Sequence, residues 1–256
     1  MTGVVLPVGV GARWPVLGVR PSVRPVSDAG AAPQNTTFPR PGGEEGHGYL
    51  ELPPSGRGPG LVVVQEWWGL TEHIADLVRR FAAEGFVALA PDLYGGRTTH
   101  DGEEAMRLLQ ELPVDRAARD LAGAVDLLLG HEAVTSSTVG VAGFCMGGAF
   151  ALTLAAQQGE RVGAVTPFYG LPDPDGTDWS GVRAAVQGHY AREDRIDLDV
   201  VGRAFDDLRE RLDVPVELHV YEAQHAFVND TGPAHDPDAA ALAWGRATAF
   251  LREHVR

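Results

Sequence analysis

Cysteine is almost absent from this sequence, because Cys145 is the only one among 256 residues. An intramolecular disulfide is therefore impossible, and the chain does not depend on an oxidising compartment to fold. The apolar stretches near the start are interrupted by Pro7 and Pro15, and they show neither a basic start nor a small-residue cleavage site. We therefore predict no signal peptide and expect a cytoplasmic protein.

Positive charge is also scarce, since 21 basic residues stand against 35 acidic ones and the formal net charge is -14. Such a field repels phosphate backbones, so nucleic acid is not expected as a partner. One charge-free stretch, Val139 to Ala156, is long enough to cross a bilayer, but glycines interrupt it. Its apolar residues change period midway, which predicts a buried strand, a turn and a buried helix rather than a membrane span.

The sequence lacks the usual motifs for nucleotides and metals. No Gly-Lys-Ser/Thr follows the glycines around Cys145, so a phosphate-binding loop is not supported. Gly140, Gly143 and Gly147 have the wrong separations for a dinucleotide fingerprint. No cluster of histidine, cysteine and carboxylate shows the spacing of metal ligands. We therefore expect neither a cofactor nor a metal.

Two regions of the chain differ in composition. Residues 1 to 35 are rich in Gly, Pro, Ala and Val, and their apolar residues recur with neither helix nor strand spacing. This composition predicts a loosely ordered N-terminal extension. From residue 36 to 256, short apolar runs alternate with amphipathic stretches, as in parallel strands joined by crossover helices. This pattern predicts a single α/β domain with a mostly parallel central sheet and helices on both faces.

The element boundaries follow from the same periodicity. The predicted strands are Leu61 to Gln65, Phe86 to Ala90, Val139 to Gly143, Val162 to Tyr169, Ala184 to His189 and Val216 to Tyr221, with Thr36 to Phe38 and Tyr49 to Leu52 as an antiparallel edge. The predicted helices are Glu72 to Glu84, Glu103 to Leu109, Asp115 to Leu129, Met146 to Gln157, Leu198 to Leu212 and Pro237 to His254.

The single cysteine lies between a predicted strand and a predicted helix, inside the pattern Gly143-x-Cys145-x-Gly147. This is the pattern of a nucleophile elbow with sulfur in place of oxygen. The flanking glycines allow a tight turn, and the helix N-terminus favours a thiolate. The alternative is a buried, inert cysteine, but the strand, the glycine pair and the helix together favour a nucleophile.

A thiol nucleophile needs an imidazole and an orienting carboxylate. His225 follows a late strand and precedes the final helix, where this architecture places its base, and Asp194 follows the preceding strand. Glu193 and Asp197 compete with Asp194, because the loop holds several carboxylates. Four other histidines are more simply explained by packing or surface positions, namely His73, His219, His235 and His254. His189 is closer to the site, but it comes before the acid in the chain.

Five sequence blocks, in this order, resemble the dienelactone hydrolase (carboxymethylenebutenolidase) family of α/β-hydrolases. The blocks are Gln65-Glu-Trp-Trp-Gly, Pro91-Asp-Leu-Tyr-Gly-Gly, Gly143-Phe-Cys-Met-Gly-Gly, His189-Tyr-Ala-Arg-Glu-Asp and His225-Ala-Phe-Val-Asn-Asp. The resemblance runs from about Thr36 to the C-terminus, and it favours Asp194 as the acid. It implies a cofactor-free cysteine hydrolase that opens a small-molecule lactone or ester through a thioester.

The resemblance also implies roles for residues around the nucleophile. The backbone N–H groups of Trp67 and Met146 would form an oxyanion hole. Glu66 would lie beside Cys145, where its charge opposes ionisation of the thiol, or it would simply bond nearby backbone. Arg97 would contact the substrate or modulate the nucleophile.

The chain departs from the family pattern at the arginines expected to hold a substrate carboxylate. Arg97 follows Tyr94 by three residues rather than two, and Asn229 and Gly232 stand where a second arginine is expected. The anion grip is therefore in doubt, and a neutral ester becomes a credible substrate. Two alternatives remain open: a non-catalytic or redox-responsive small-molecule binding protein, and an acyl hydrolase acting on thioesters or peptides.

Overall fold

The computed structural model describes residue 32 and residues 34–256 of the chain. Its centre is one sheet of eight strands, in the order β1, β2, β4, β3, β5, β6, β7, β8. The strands are β1 (Thr36–Pro39), β2 (Glu45–Glu51), β3 (Gly58–Val64), β4 (Val87–Pro91), β5 (Val134–Phe144), β6 (Val162–Phe168), β7 (Ala185–Glu193) and β8 (Val216–Gln224). The helices are α1 (Glu72–Ala83), α2 (Gly102–Glu111), α3 (Val114–Gly130), α4 (Met146–Gln158), α5 (Leu198–Arg211) and α6 (Pro237–His254).

The strand directions place six strand ends at one edge of the sheet. β3 to β8 pair in parallel, whereas β1 and β2 add an antiparallel edge beside β4. Because parallel strands share a direction, the loops after their carboxyl ends lie along the same edge. Side chains that directly follow β3, β5, β6, β7 and β8 are therefore neighbours despite wide separation in sequence.

Helices cover both faces of the sheet. Successive side chains of a strand point to opposite faces, and in the buried strands both sets are apolar, so each face needs a covering layer. Val62 and Val64 of β3 belong to the buried cluster that includes residues of α3, α4 and α5, whereas Leu61 and Val63 belong to the cluster that includes residues of α1 and α6. All four of these side chains are fully buried. Burying a Val or Leu side chain contributes about 1.5–3 kcal/mol, so both layers are held by apolar burial against the same strand.

Three of the helices begin at aspartates that cap their first turn. Asp101 accepts from the N–H of Glu104 at the start of α2, and Asp236 accepts from that of Ala239 at the start of α6. Asp197 caps α5 in the same way. Each such cap contributes about 1 kcal/mol and fixes where the loop ends and the helix begins.

The predicted fold class is confirmed, since the domain is a mostly parallel sheet with helices on both faces. The largest boundary differences are in β2, β5 and β7. β2 begins at Glu45 and β5 at Val134, while β7 continues to Glu193 because that residue pairs with Gln224 of β8. In β2, an added side chain at Gly48 would lie 2.5 Å from the Ala90 carbonyl oxygen, so only glycine permits this close pairing.

Most of the predicted N-terminal extension, residues 1–31 and 33, lies outside the described residues. Within it, Ala32 is buried and its N–H donates to the Leu70 carbonyl at 3.1 Å. Gln34 donates to the carboxylate of Asp92. Among the helices of the described part of the chain, none has the length and apolarity needed to cross a bilayer.

Candidate active site

Cys145 occupies a sharp turn between β5 and α4. Its backbone has φ 55° and ψ −121°, a conformation that L-residues adopt at a cost of about 1–3 kcal/mol. Its N–H donates to the Phe168 carbonyl at 3.0 Å. Space for the turn exists because Gly143 and Gly147 have no side chains: a Cβ on Gly143 would lie 2.0 Å from the Gly147 oxygen. The predicted elbow is therefore present, and the cysteine is only partly buried.

His225 directly follows β8 and contacts the sulfur. Its Nε2 lies 3.2 Å from Cys145 Sγ, within hydrogen-bond reach. Its Nδ1 lies 2.9 Å from Oδ1 and 2.8 Å from Oδ2 of Asp194. The turn after His225 is held by Ala226 at φ 64° and by a 2.9 Å bond from the Asn229 N–H to the Ala226 carbonyl. Sulfur, imidazole and carboxylate thus form one continuous chain of contacts.

Asp194 is fixed by its own loop. Its side chain is 1% exposed, and Oδ1 accepts from the N–H groups of Arg195 at 2.6 Å and Ile196 at 3.2 Å. Of the two competing carboxylates, Glu193 is exposed at the end of β7, and Asp197 caps α5. Only Asp194 among these three contacts the imidazole.

The electrostatics of the contact favour a charged imidazole. Burial by itself favours neutral His225, but the negative charge of Cys145 and the bonds and charge of Asp194 outweigh it and raise the pKa of His225 to about 10. The proton therefore rests on the imidazole when the sulfur is ionised. Tyr169 packs its ring against His225 with centroids 5.1 Å apart, which holds the imidazole plane.

The other histidines considered from the sequence make their own contacts away from the sulfur. His189 is fully buried, stacks on Phe168 and bonds the Tyr221 hydroxyl at 2.9 Å and Gln187 at 3.1 Å. Burial, together with the charges of His219 and Arg246, holds the pKa of His189 well below its usual value. The others lie elsewhere: His73 in α1 near Asp230, His219 in β8 near Glu217, His235 before α6, and His254 at the end of α6.

Two backbone N–H groups at the elbow donate to no other group among the residues that the structure describes. Met146 begins α4 directly after Cys145, and Trp67 lies in the turn after β3. Within the described residues, neither N–H donates a hydrogen bond to another protein group. The turn after β3 touches the elbow, because a Cβ on Gly147 would lie 2.5 Å from the Gln65 oxygen. These are the two N–H groups predicted for the oxyanion hole.

Glu66 is buried beside these donors and bonds a side chain rather than backbone. It is 2% exposed, and its Oε2 accepts from Asn229 Nδ2 at 2.8 Å. Its Oε1 has no hydrogen-bond partner within the described residues. Asn229 thus occupies the place where the sequence comparison expected a cation, and Gly232 lies in the same turn, donating its N–H to the Asn229 carbonyl at 3.1 Å.

Tyr169 is a site residue that the sequence reasoning missed. It directly follows β6 with φ 40°, and its N–H donates to the His189 carbonyl at 2.8 Å. The buried hydroxyl has no hydrogen-bond partner in the described part of the chain. Burial, then the charges of Glu66 and Cys145, raise the pKa of this hydroxyl well above its usual value, so it stays protonated. The signal that could have identified it is its position at a strand end beside the elbow.

Arg97 does not join this group through any bond in the structure. Its Nη1 lies 3.1 Å from Glu111 Oε2, and its Nε donates to the Tyr94 carbonyl at 3.4 Å. About half of the Arg97 side chain is exposed. Its charge reaches Tyr94, whose pKa is raised by burial and by Cys145 and lowered by Arg97. The guanidinium is thus committed to an ion pair at the periphery.

The described residues contain no group of three or more histidine, cysteine and carboxylate side chains suited to a metal. A polar cavity of about 600 Å³ lies elsewhere, and neither Cys145, Asp194, His225, Glu66 nor Tyr169 lines it. Its walls include Arg40 and Arg116, and both arginines pair with buried Asp120. Among the described residues, a thiol and an imidazole meet only at the strand ends around Cys145, so we take these strand ends as the candidate active site.

Comparison with known proteins agrees with this geometry. The sequence model of the Dienelactone hydrolase family matches residues 47–255. Protein usf of Aquifex pyrophilus is 32% identical over 222 residues, covering 81% of this chain and 93% of that protein. The carboxymethylenebutenolidase of Pseudomonas sp. (strain P51) is 26% identical over 224 residues, covering 82% of this chain and 91% of that protein.

A solved structure gives the same result in three dimensions. The crystal structure of a dienelactone hydrolase-like promiscuous phosphotriesterase from metagenomic libraries superposes with a TM-score of 0.74 at 25% identity, covering 86% of this chain and 98% of that one. The family match spans most of the chain, including the turns that carry Cys145, Asp194 and His225. This chain therefore belongs to the dienelactone hydrolase family and is a hydrolase with the α/β-hydrolase fold.

Proposed function

We propose that this protein is a cysteine hydrolase that opens a small-molecule ester or lactone through a thioester intermediate. The observation that carries the proposal is the 3.2 Å contact between Cys145 Sγ and His225 Nε2, with Nδ1 of the same imidazole held by Asp194. This geometry supports the proposal, because acyl transfer requires a nucleophile, a proton carrier and an orienting carboxylate in contact in that order. The family supports a small-molecule substrate.

In the first half of the reaction, the thiolate of Cys145 attacks the carbonyl carbon, and the carbonyl π electrons move to the oxygen. The N–H groups of Trp67 and Met146 donate to that oxyanion, and losing one such donor typically costs about 3 kcal/mol of barrier. When the oxyanion collapses, the bond from carbon to the leaving oxygen breaks. Protonated His225 then gives its Nε2 proton to the leaving oxygen.

In the second half, water attacks the thioester carbon while neutral His225 accepts one of its protons. Collapse of this second oxyanion breaks the bond from carbon to sulfur and releases a carboxylic acid, which ionises in solution. The sulfur leaves as a thiolate beside an imidazolium, which restores the starting pair. Asp194 stabilises the imidazolium through both of its oxygens and keeps Nε2 directed at the sulfur.

The test is hydrolysis of p-nitrophenyl butyrate by the purified protein. We expect Cys145→Ala to lower kcat/KM by about a thousandfold or more, because nucleophile and base act as a unit. We also expect the wild-type protein to accumulate a butyryl adduct on the peptide that contains Cys145, visible by mass spectrometry after an acid quench. Hydrolysis by Cys145→Ala at the wild-type rate would show that the proposal is wrong.

A matched control uses a second histidine of β8. His219→Asn changes an imidazole whose Nε2 lies 3.3 Å from Glu217, six positions before His225. We expect this variant to keep wild-type kcat/KM while His225→Asn loses it. Equal losses in both variants would point to damage of β8 rather than to proton transfer.

A further inference from the structure

The acyl site is rich in negative charge and acceptors. Glu66, Asp194 and the sulfur of Cys145 all lie at strand ends on the same edge of the sheet, and the imidazole of His225 is the cation that contacts two of them. Of the arginines in residues 34–256, none donates a side-chain hydrogen bond or forms an ion pair with any of these four residues. A negatively charged substrate group would therefore find no arginine in contact with the site, and the imidazole of His225 is already paired with Asp194 and the sulfur.

The partner of Glu66 is neutral, and its orientation is fixed. Asn229 is 7% exposed, and its Oδ1 accepts both the N–H of Thr231 at 3.0 Å and the Thr231 hydroxyl at 2.7 Å. The two donors require an acceptor at this position, so the amide nitrogen must face Glu66. A neutral donor leaves the carboxylate charge uncompensated, whereas a guanidinium at position 229 would cancel it.

Glu66 also has an oxygen without a hydrogen bond of regular geometry, and the Tyr169 hydroxyl lies close to it. Among the described residues, neither Glu66 Oε1 nor the Tyr169 hydroxyl makes a regular hydrogen bond, but the charge of Glu66 and a side-chain hydrogen bond with it both raise the pKa of that hydroxyl. An incompletely satisfied buried acceptor is costly, so Glu66 Oε1 attracts a further donor that arrives with the substrate. The acceptor takes a hydroxyl or amide N–H, and it repels a carboxylate.

We propose that Glu66 and Asn229 determine specificity by excluding acyl groups that carry a negative charge, so that the substrates are uncharged esters or lactones. This inference rests on the proposed hydrolase function. The carboxylate of Glu66 repels anionic acyl groups, and Asn229, because it is neutral, leaves that negative charge uncompensated. Like charges brought together in a partly desolvated site discriminate strongly between otherwise similar ligands.

The experiment compares p-nitrophenyl butyrate with mono-p-nitrophenyl succinate, which carries a carboxylate where butyrate has a methyl group. Rates with Cys145→Ala are subtracted, since the succinate ester also hydrolyses by itself. We expect wild-type kcat/KM to favour the butyrate by at least about tenfold. Asn229→Arg, which adds a cation beside Glu66, is expected to move this ratio toward the succinate by about tenfold or more.

Two further variants keep the test decisive if Asn229→Arg fails to fold. Glu66→Gln preserves shape while removing the charge, and it should move the ratio in the same direction. Leu242→Arg adds the same positive charge at an exposed position of α6, and its ratio should equal that of the wild type. If Leu242→Arg changes the ratio of the two kcat/KM values as much as Asn229→Arg does, the effect comes from the net charge of the protein, and the inference is overturned.

The wild-type measurement separates the two proposals. Cys145-dependent hydrolysis of both esters with equal kcat/KM would overturn the charge selection and leave the cysteine hydrolase intact. Hydrolysis of neither ester would overturn both. Preference for the butyrate that is unchanged in Glu66→Gln and in folded Asn229→Arg would show that some other feature rejects the carboxylate.

Discussion

Replacing Gly147 with alanine tests how closely the elbow is packed against the turn after β3. An alanine Cβ would lie 2.3 Å from the Val64 oxygen and 2.5 Å from the Gln65 oxygen. Real Cβ atoms essentially never come closer than 3.0 Å, so the two backbones must separate by at least about 0.7 Å. Both contacts are backbone atoms, and rotation of a side chain cannot relieve them. Overpacking of this kind costs about 1–3 kcal/mol.

The same separation should affect catalysis as well as stability. The displaced turn carries the Trp67 N–H, and a misplacement of about 1 Å can reduce a rate by about a hundredfold. We therefore expect Gly147→Ala to lower the free energy of unfolding in urea by about 1–3 kcal/mol and kcat for p-nitrophenyl butyrate by about a hundredfold. Circular dichroism at each urea concentration and initial rates on the same sample give both quantities.

The matched control makes the same chemical change where space is open. Gly245 lies in the exposed middle of α6, and no atom lies within 4 Å of its added Cβ. Gly245→Ala should stabilise the protein by about 0.5–1 kcal/mol through helix propensity, with unchanged activity. If both alanines shift the urea midpoint in the same direction, or if Gly147→Ala keeps wild-type kcat, the packing argument is refuted.

Two further predictions concern two histidines, one whose pKa is raised by its surroundings and one whose pKa is lowered. Cys145→Ser removes the sulfur charge, so the pKa of His225 should fall below its value of about 10, as measured by NMR titration of the imidazole; an unchanged pKa would show that the sulfur charge does not act on it. Because burial lowers the pKa of His189, the unfolded chain binds a proton below about pH 6.5 that the folded chain does not. This proton favours the unfolded chain, so the free energy of unfolding should fall as the pH drops from about 6.5. Urea titrations at several pH values measure this fall, and it should be smaller in His189→Gln.

The fold could be predicted largely because local signals and burial agree. Pro237 after Asp236 predicted the first residue of α6, and the aspartate does cap that helix. The end of β7 was missed, because Arg192 and Glu193 are exposed charged residues that read as a loop. They continue the strand only because β8 pairs alongside, which is a contact no local pattern contains.

The parts of the candidate site that could be predicted are reactive residues that stand at recognisable positions in the sequence. A cysteine between two glycines and a histidine after a late strand are rare enough to be noticed, and both lie at strand ends. Tyr169 was hidden because an aromatic residue at the end of an apolar run reads as core, and its positive φ is visible only in three dimensions. The bond from Asn229 to Glu66 joins residues 163 positions apart, so spacing alone could not reveal it.

Cys145 and His225 directly follow strands that are synthesised at different times. Cys145 leaves the ribosome 80 residues before His225, and β8, which positions that histidine, is the last strand and lies at the border of the sheet. During synthesis, the sulfur is thus made well before the imidazole that contacts it. In the proposed mechanism the thiol gains its base only when the final strand docks, so an incompletely translated chain carries a thiol that lacks its partner.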